Sequence, residues 1–142
     1  MTVKQALKQK NKLVADIKAC YDIAEKHNSI EEGNVRRYSV KAKLDEAADL
    51  TRQLVGLKTK IHQANQPVYD KIFYMAELKG LVKQLKKISV EEGKVTERYG
   101  SIQAVKTVEI NVADRDKMVK DLELVIEKLQ DELDVHNATT NI

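Results

Sequence analysis

The chain repeats itself, and that repeat limits what it can fold into more than any other feature. Ser29-Ile30-Glu31-Glu32-Gly33-Asn34-Val35-Arg36-Arg37-Tyr38 returns as Ser89-Val90-Glu91-Glu92-Gly93-Lys94-Val95-Thr96-Glu97-Arg98-Tyr99, with one residue inserted before the shared Arg-Tyr. The segments before it share Ala15-Asp16-Ile17-Lys18 and Ala76-Glu77-Leu78-Lys79. The segments after it share Leu57, Ile61, Asn65 and Leu129, Leu133, Asn137, each at steps of four. Each half therefore reads helix, Glu-Glu-Gly to Arg-Tyr loop, helix, Asn. A duplicated hairpin can bury its apolar faces by stacking on its twin. The fold this predicts is mainly all-α: two tandem αα-hairpins in an elongated antiparallel four-helix or coiled-coil bundle. It forms a single helical domain over residues 1–142, with internal repeats over 1–65 and 67–137. Helices of this length measure about 37 Å at about 1.5 Å per residue. Both repeat loops are expected at one end, opposite Pro67.

Apolar spacing places the helices. Thr2 and Gln5 match the capping-box pattern, so the first helix starts near Thr2 and ends near His27 or Asn28. Its row is Val3, Leu7, Val14, Ile17, Tyr21 and Ala24, interrupted by Lys10. Residues 29–39 lack a helical period and contain Gly33, which reads as a loop or short hairpin. The second helix covers residues 40–64, with Ala47, Leu50, Leu54, Leu57, Ile61 and Ala64 at alternating steps of three and four. Asn65-Gln66-Pro67 breaks it, and proline suits the first turn of a third helix over residues 67–88. The inner row expected there is Tyr74, Leu78, Leu81, Leu85 and Ile88. Helices two and three either fold back sharply, the preferred reading, or continue as one kinked rod.

Val108, Ile110 and Val112 alternate with polar residues, as in a short strand, and residues 95–99 are its expected partner, giving a β-hairpin near 95–110. Asn111 with Asp114 caps a last helix over residues 112–136, with Val119, Leu122, Ile126, Leu129 and Leu133 inward. The polar tail, residues 137–142, is expected to fray.

Composition narrows the function. There is no Trp and one Phe among 142 residues, so Leu, Ile, Val and Ala must fill narrow helix–helix seams. The net charge is +3, with basic and acidic residues intermixed. Lys79, Lys83, Lys86 and Lys87 are followed at once by Glu91 and Glu92, a solvated face more than a nucleic-acid patch. The lone Cys20 permits no intrachain disulfide and reads as a small buried side chain. No signal-peptide pattern and no run of about 20 apolar residues is visible. A cytoplasmic location follows as the expectation, in a bacterial host or a phage particle.

Chemistry has few candidates. His27, His62 and His136 are scattered without a second ligand at helical spacing, so no metal is expected. His62 and His136 read as surface or capping residues near helix ends. No phosphate loop or nucleophile motif occurs, and neither catalytic nor cofactor-binding residues are expected. The repeated constellation is Glu31, Glu32, Gly33, Arg36, Arg37 and Tyr38 with Glu91, Glu92, Gly93, Arg98 and Tyr99. As a recognition tip it offers carboxylates, guanidinium and phenol to a partner. As local architecture it forms salt bridges, with Gly33 and Gly93 taking a backbone angle other residues avoid. Two Glu pairs are also able to bind a hard cation, against which the neighbouring arginines argue. Leu13 and Cys20 in the first helix, and Val68, Ile72, Phe73, Met75 and Val82 in the third, fall outside the inner rows. They form an expected oligomer face, centred on helix three.

The chain also resembles the septicolysin-like family of small bacterial proteins. The likeness rests on Ile61-His62-Gln63-Ala64-Asn65, Val105-Lys106-Thr107-Val108-Glu109-Ile110 and the ending from Leu129-Gln130-Asp131-Glu132-Leu133 through Asp134-Val135-His136-Asn137-Ala138-Thr139-Thr140. A Trp commonly follows the terminal Asn in that family, where this chain has Ala138. The resemblance implies a helical fold and a bacterial or bacteriophage origin, and brings no catalytic residues. The expected function is a structural or protein–protein interaction role, as a self-associating helical subunit with an unidentified protein partner. The alternatives are a nucleic-acid-binding accessory protein using Lys-rich faces, and a membrane-active lysin.

Overall fold

A computed structural model describes residues 1–96 and 103–142. The protein is all-α, with four helices and one small antiparallel sheet among the described residues. The elements are α1 (Val3–His27), α2 (Val40–Ala64), a 3-10 turn (Gln66–Val68), α3 (Tyr69–Leu85), β1 (Gly93–Thr96), β2 (Gln103–Lys106) and α4 (Val112–Thr139). The chain divides into two compact units. One is Met1–Pro67 with Val135–Ile142; the other is Val68–Asp134.

In the first unit, α1 begins where its sequence dictates. The Thr2 hydroxyl accepts from the Gln5 backbone N–H at 3.2 Å, while the Gln5 side chain accepts from the Thr2 N–H at 2.9 Å. Two of the helix's orphan donors are thereby satisfied. α2 starts on Ser39, whose hydroxyl accepts from the Ala42 N–H. α1 and α2 pack as a hairpin, and its buried apolar residues are Val3, Ala6, Leu13 and Cys20 on α1 with Ala47 and Ile61 on α2.

The α2 row is as expected: Ala47 and Ile61 are buried, and Leu50, Leu54, Leu57 and Ala64 are half-buried. The α1 row is not. The inner face is turned one residue back, from Leu7 and Val14 to Ala6 and Leu13, and from Tyr21 to Cys20. Leu13 therefore belongs to the core and not to an exposed patch, which corrects the sequence reading, while Cys20 is the small buried side chain that reading expected. Small side chains at Ala6 and Cys20 let two backbones approach closely, a benefit that hydrophobicity alone does not register.

The C-terminal segment does not fray. α4 continues to Thr139, and the residues beyond it are tied to the start of α1. The Val3 N–H donates to the Thr140 carbonyl, and the Ile142 N–H donates to the Met1 carbonyl, each at 2.9 Å; Thr2 and Asn141 form an isolated antiparallel bridge. A helix start leaves N–H groups without partners, and here an extended strand of backbone supplies an acceptor. His136 fastens the same place. Its Nε2 lies 3.2 Å from Asn65 Oδ1, and its Nδ1 lies 3.1 Å from the Thr140 hydroxyl.

In the second unit, α3 and α4 run antiparallel. Val82, Leu85 and Val119 form the buried cluster, with Leu122 and Ile126 packed against it. Lys71 pairs with Glu132 at 2.5 Å, and Lys86 with Glu123 at 3.5 Å. The α4 row is as expected, and so is its cap: the Asp114 N–H donates to Asn111 Oδ1 at 2.8 Å, and the Asn111 N–H donates to Asp114 Oδ2 at 3.2 Å.

The α3 row departs from its expectation. Leu78 and Leu85 face inward, but Val82 joins them, while Tyr74, Leu81 and Ile88 are exposed. The β-hairpin expected near residues 95–110 is present, with its second strand earlier than residues 108–112. β2 covers Gln103–Lys106, pairing Gly93 with Lys106 and Thr96 with Gln103. Residues 108–111 are not a strand. The alternation there coincides with the approach to the Asn111 cap, which claims the backbone for a helix start.

Candidate functional site

The two repeat loops are built alike at one point. Gly33 and Gly93 have φ of 87° and 86°, and no other described residue has a positive φ. An L side chain is strained in that region, so glycine is required by the backbone at the same place in each copy.

Around Gly33, the loop is held by its own side chains. Arg36 turns back on α1: Nη1 donates to the His27 carbonyl at 2.8 Å, and Nη2 donates to the Asn28 carbonyl at 2.9 Å. The last carbonyls of a helix lack partners and carry its negative end, so a guanidinium satisfies both needs. The Tyr38 ring lies 4.9 Å from the His27 ring, tilted by 53°. The Asn34 N–H donates to the Glu31 carbonyl, closing the turn that contains Glu32. His27, Ile30, Asn34, Val35, Arg36 and Arg37 line an open hollow of about 610 Å³. Glu31, Glu32 and Arg37 are exposed.

The second loop uses other means. Lys106 on β2 pairs with Glu91 at 3.2 Å, and Glu92 is exposed. The end of α3 is met by Arg115 of α4, whose Nη1 donates to the Ile88 carbonyl at 3.1 Å. Its Nε, buried and without a hydrogen bond, lies 3.6 Å from Asp116 Oδ1, an ion-pair separation too long for hydrogen bonding. A guanidinium therefore meets the backbone before each loop, at the last carbonyls of α1 from the loop itself in one copy and at Ile88, just past α3, from α4 in the other. Arg98 and Tyr99 lie outside the described residues.

Of the face expected on helix three, Val68 and Val82 are buried and Ile72 and Met75 are half-buried. Phe73 is the exposed member, at 62%, with the Tyr69 ring stacked at 5.5 Å. That face as drawn from sequence is thus largely core. The exposed apolar side chains are elsewhere. On the α1/α2 hairpin they are Val14, Tyr21, Leu44 and Val55, with Tyr21 and Leu44 lining one shallow hollow. On the α3/α4 hairpin they include Tyr74, Leu81, Ile88, Met118 and Val125. Sequence reasoning assigned Val14, Tyr21, Tyr74, Leu81 and Ile88 to the core because they form clean rows. The sign that they lie outside it was the second, adjacent row on each of α1 and α3.

Among the described residues, no three His, Cys, Asp or Glu side chains converge as a metal site needs, and no helix is long and apolar enough to cross a membrane. Cys20 is buried. A scan of protein-family models, of curated proteins and of solved structures found no match to this chain.

Proposed function

We propose that the protein is a non-catalytic structural or interaction protein, a subunit that self-associates through its helices. The observation that carries this reading is the apolar rows left in solvent on both hairpins, Val14, Tyr21, Leu44 and Val55 on one and Tyr74, Leu81, Ile88, Met118 and Val125 on the other. Exposed apolar side chains grouped along helices mark contact surfaces on proteins. The loops support the same reading from the other side. Arg36 and Tyr38 are engaged within the chain, and the outer groups Glu31, Glu32 and Arg37 are exposed to meet a partner.

Light scattering over a wide concentration range tests it. The expected mass is a multiple of 16.1 kDa. A constant monomer mass up to hundreds of micromolar would remove self-association from the reading.

A further inference from the structure

We infer that the hollow beside the first repeat loop takes an acidic peptide segment of a partner protein, with a carboxylate on Arg37 and an aliphatic side chain against Ile30 and Val35. The inference deepens the interaction reading above by naming the partner's chemistry.

The hollow carries positive charge that no described residue neutralises. Of the four arginines among the described residues, Arg52 pairs with Asp49, and Arg115 lies at ion-pair distance from Asp116. Arg36 and Arg37 line the hollow together, and neither has a carboxylate partner among the described residues. Arg36 gives Nη1 and Nη2 to the carbonyls of His27 and Asn28. A helix end of that kind carries about half an elementary negative charge, so two guanidiniums still leave the lining positive. Arg37 makes no hydrogen bond with a described residue, so its planar fork is open to a ligand. A guanidinium receives a carboxylate through two parallel hydrogen bonds, a geometry that fixes both position and orientation. Glu31 and Glu32 belong to the same loop but do not line the hollow. The matching stretch of the second repeat reads Thr96-Glu97-Arg98, so the sequence places two adjacent arginines in the first loop alone.

The apolar part of the lining selects a peptide over a bare anion. Val35 is 89% exposed, the most exposed large apolar side chain among the described residues, and Ile30 is half-buried. A lone phosphate or carboxylate gains nothing from either. An acidic residue next to an aliphatic one uses both the charge and the apolar wall. The hollow measures about 610 Å³. That volume suits roughly two or three residues of extended chain, at about 3.3 Å each. Sites for small molecules enclose most of the ligand. This hollow is open and its arginines are exposed, so it fits one side of a chain that continues past it.

The probe is a fluorescein-labelled eight-residue peptide with two adjacent glutamates flanked by leucines, titrated with the full chain in low salt and read by anisotropy. Its twin carries glutamine for glutamate. Wild type is expected to bind the acidic peptide at least tenfold more tightly than the twin. Arg37→Gln should weaken binding about tenfold, the scale of one charge-assisted pair. Val35→Ser should weaken it severalfold, and Arg52→Gln, exposed on α2, should leave it unchanged. Circular dichroism checks that each variant folds. No binding, equal binding of the two peptides, or an Arg37→Gln variant that binds like wild type overturns the site. Inorganic phosphate that displaces the peptide at concentrations near the peptide's own marks a bare anion site and also overturns it. By light scattering, Arg37→Gln should keep the wild-type mass; a lower mass would make a second copy the occupant and overturn the partner segment. A wild-type monomer removes self-association and leaves this site standing.

Discussion

Gly33 and Gly93 sit at positive φ with open space where a Cβ would project, so a substitution there meets backbone strain and no steric neighbour. Gly56 and Gly80 also have open space, but they lie within α2 and α3 with ordinary helical backbone. The two kinds of glycine should respond with opposite sign. Gly33→Val is expected to cost about 1–2 kcal/mol, since a left-handed backbone is disfavoured for L residues by that amount. Gly56→Ala is expected to gain up to about 1 kcal/mol, the difference in helix propensity. Urea unfolding of the two variants decides it, and equal effects would mean that the φ of Gly33 is not what holds the loop. The glycine requirement was legible in sequence because the motif occurs twice. The role of Arg36 was not, because its carbonyl partners are backbone groups that any residue carries.

Elements differ in how plainly their sequences specify them. α2 and α4 each carry one apolar row, and both rows face inward as spacing predicts. α1 and α3 each carry two adjacent rows, and there the partner helix decides. Leu13 is 7% exposed and Val14 is 49% exposed, although the two are neighbours of similar hydrophobicity. Leu13→Ala should therefore cost about 2–4 kcal/mol through lost burial and a residual cavity. Val14→Ala should stay within about 0.5 kcal/mol in the monomer, as surface changes do. Thermal melts of the two would show whether the inner face has been correctly placed.

Between α3 and α4, the hydrogen bond and charge of Lys71 hold the Glu132 carboxyl below its usual pKa, and Glu132 in turn raises that of Lys71. A lowered folded pKa means the stabilisation is complete above the unfolded carboxylate value, near pH 4. It is lost as pH falls through the lower folded value. The raised lysine gives stability complete below its unfolded value, near pH 10, and lost as pH rises through the folded one. Glu132→Gln should flatten the acid limb of the melting temperature measured from pH 2 to 7. An unchanged acid limb would mean that the pair does not form in solution.

For the whole molecule, the informative feature is that one compact unit is assembled from both ends of the sequence, Met1–Pro67 and Val135–Ile142. A mostly polar ending, with Ile142 as its one large apolar residue, gives no apolar row, and the bonds that hold it run through backbone, so spacing alone misplaces it as a frayed tail. His136 concentrates the linkage, reaching Asn65 with one ring nitrogen and Thr140 with the other. His136→Ala should cost about 1–2 kcal/mol for the two part-buried contacts. It should also speed hydrogen exchange at the Val3 and Ile142 amides while leaving the Val82 amide protected. Uniform loss of protection would show that the linkage is global and not local.

The Ile142 amide bonded to the Met1 carbonyl at 2.9 Å has a topological consequence. With Met1 and Ile142 hydrogen-bonded neighbours, a linker of a few residues would join them into a circle. Cutting that circle between Asn34 and Val35 would yield a circular permutant with every helix intact, in which α4 runs directly into α1.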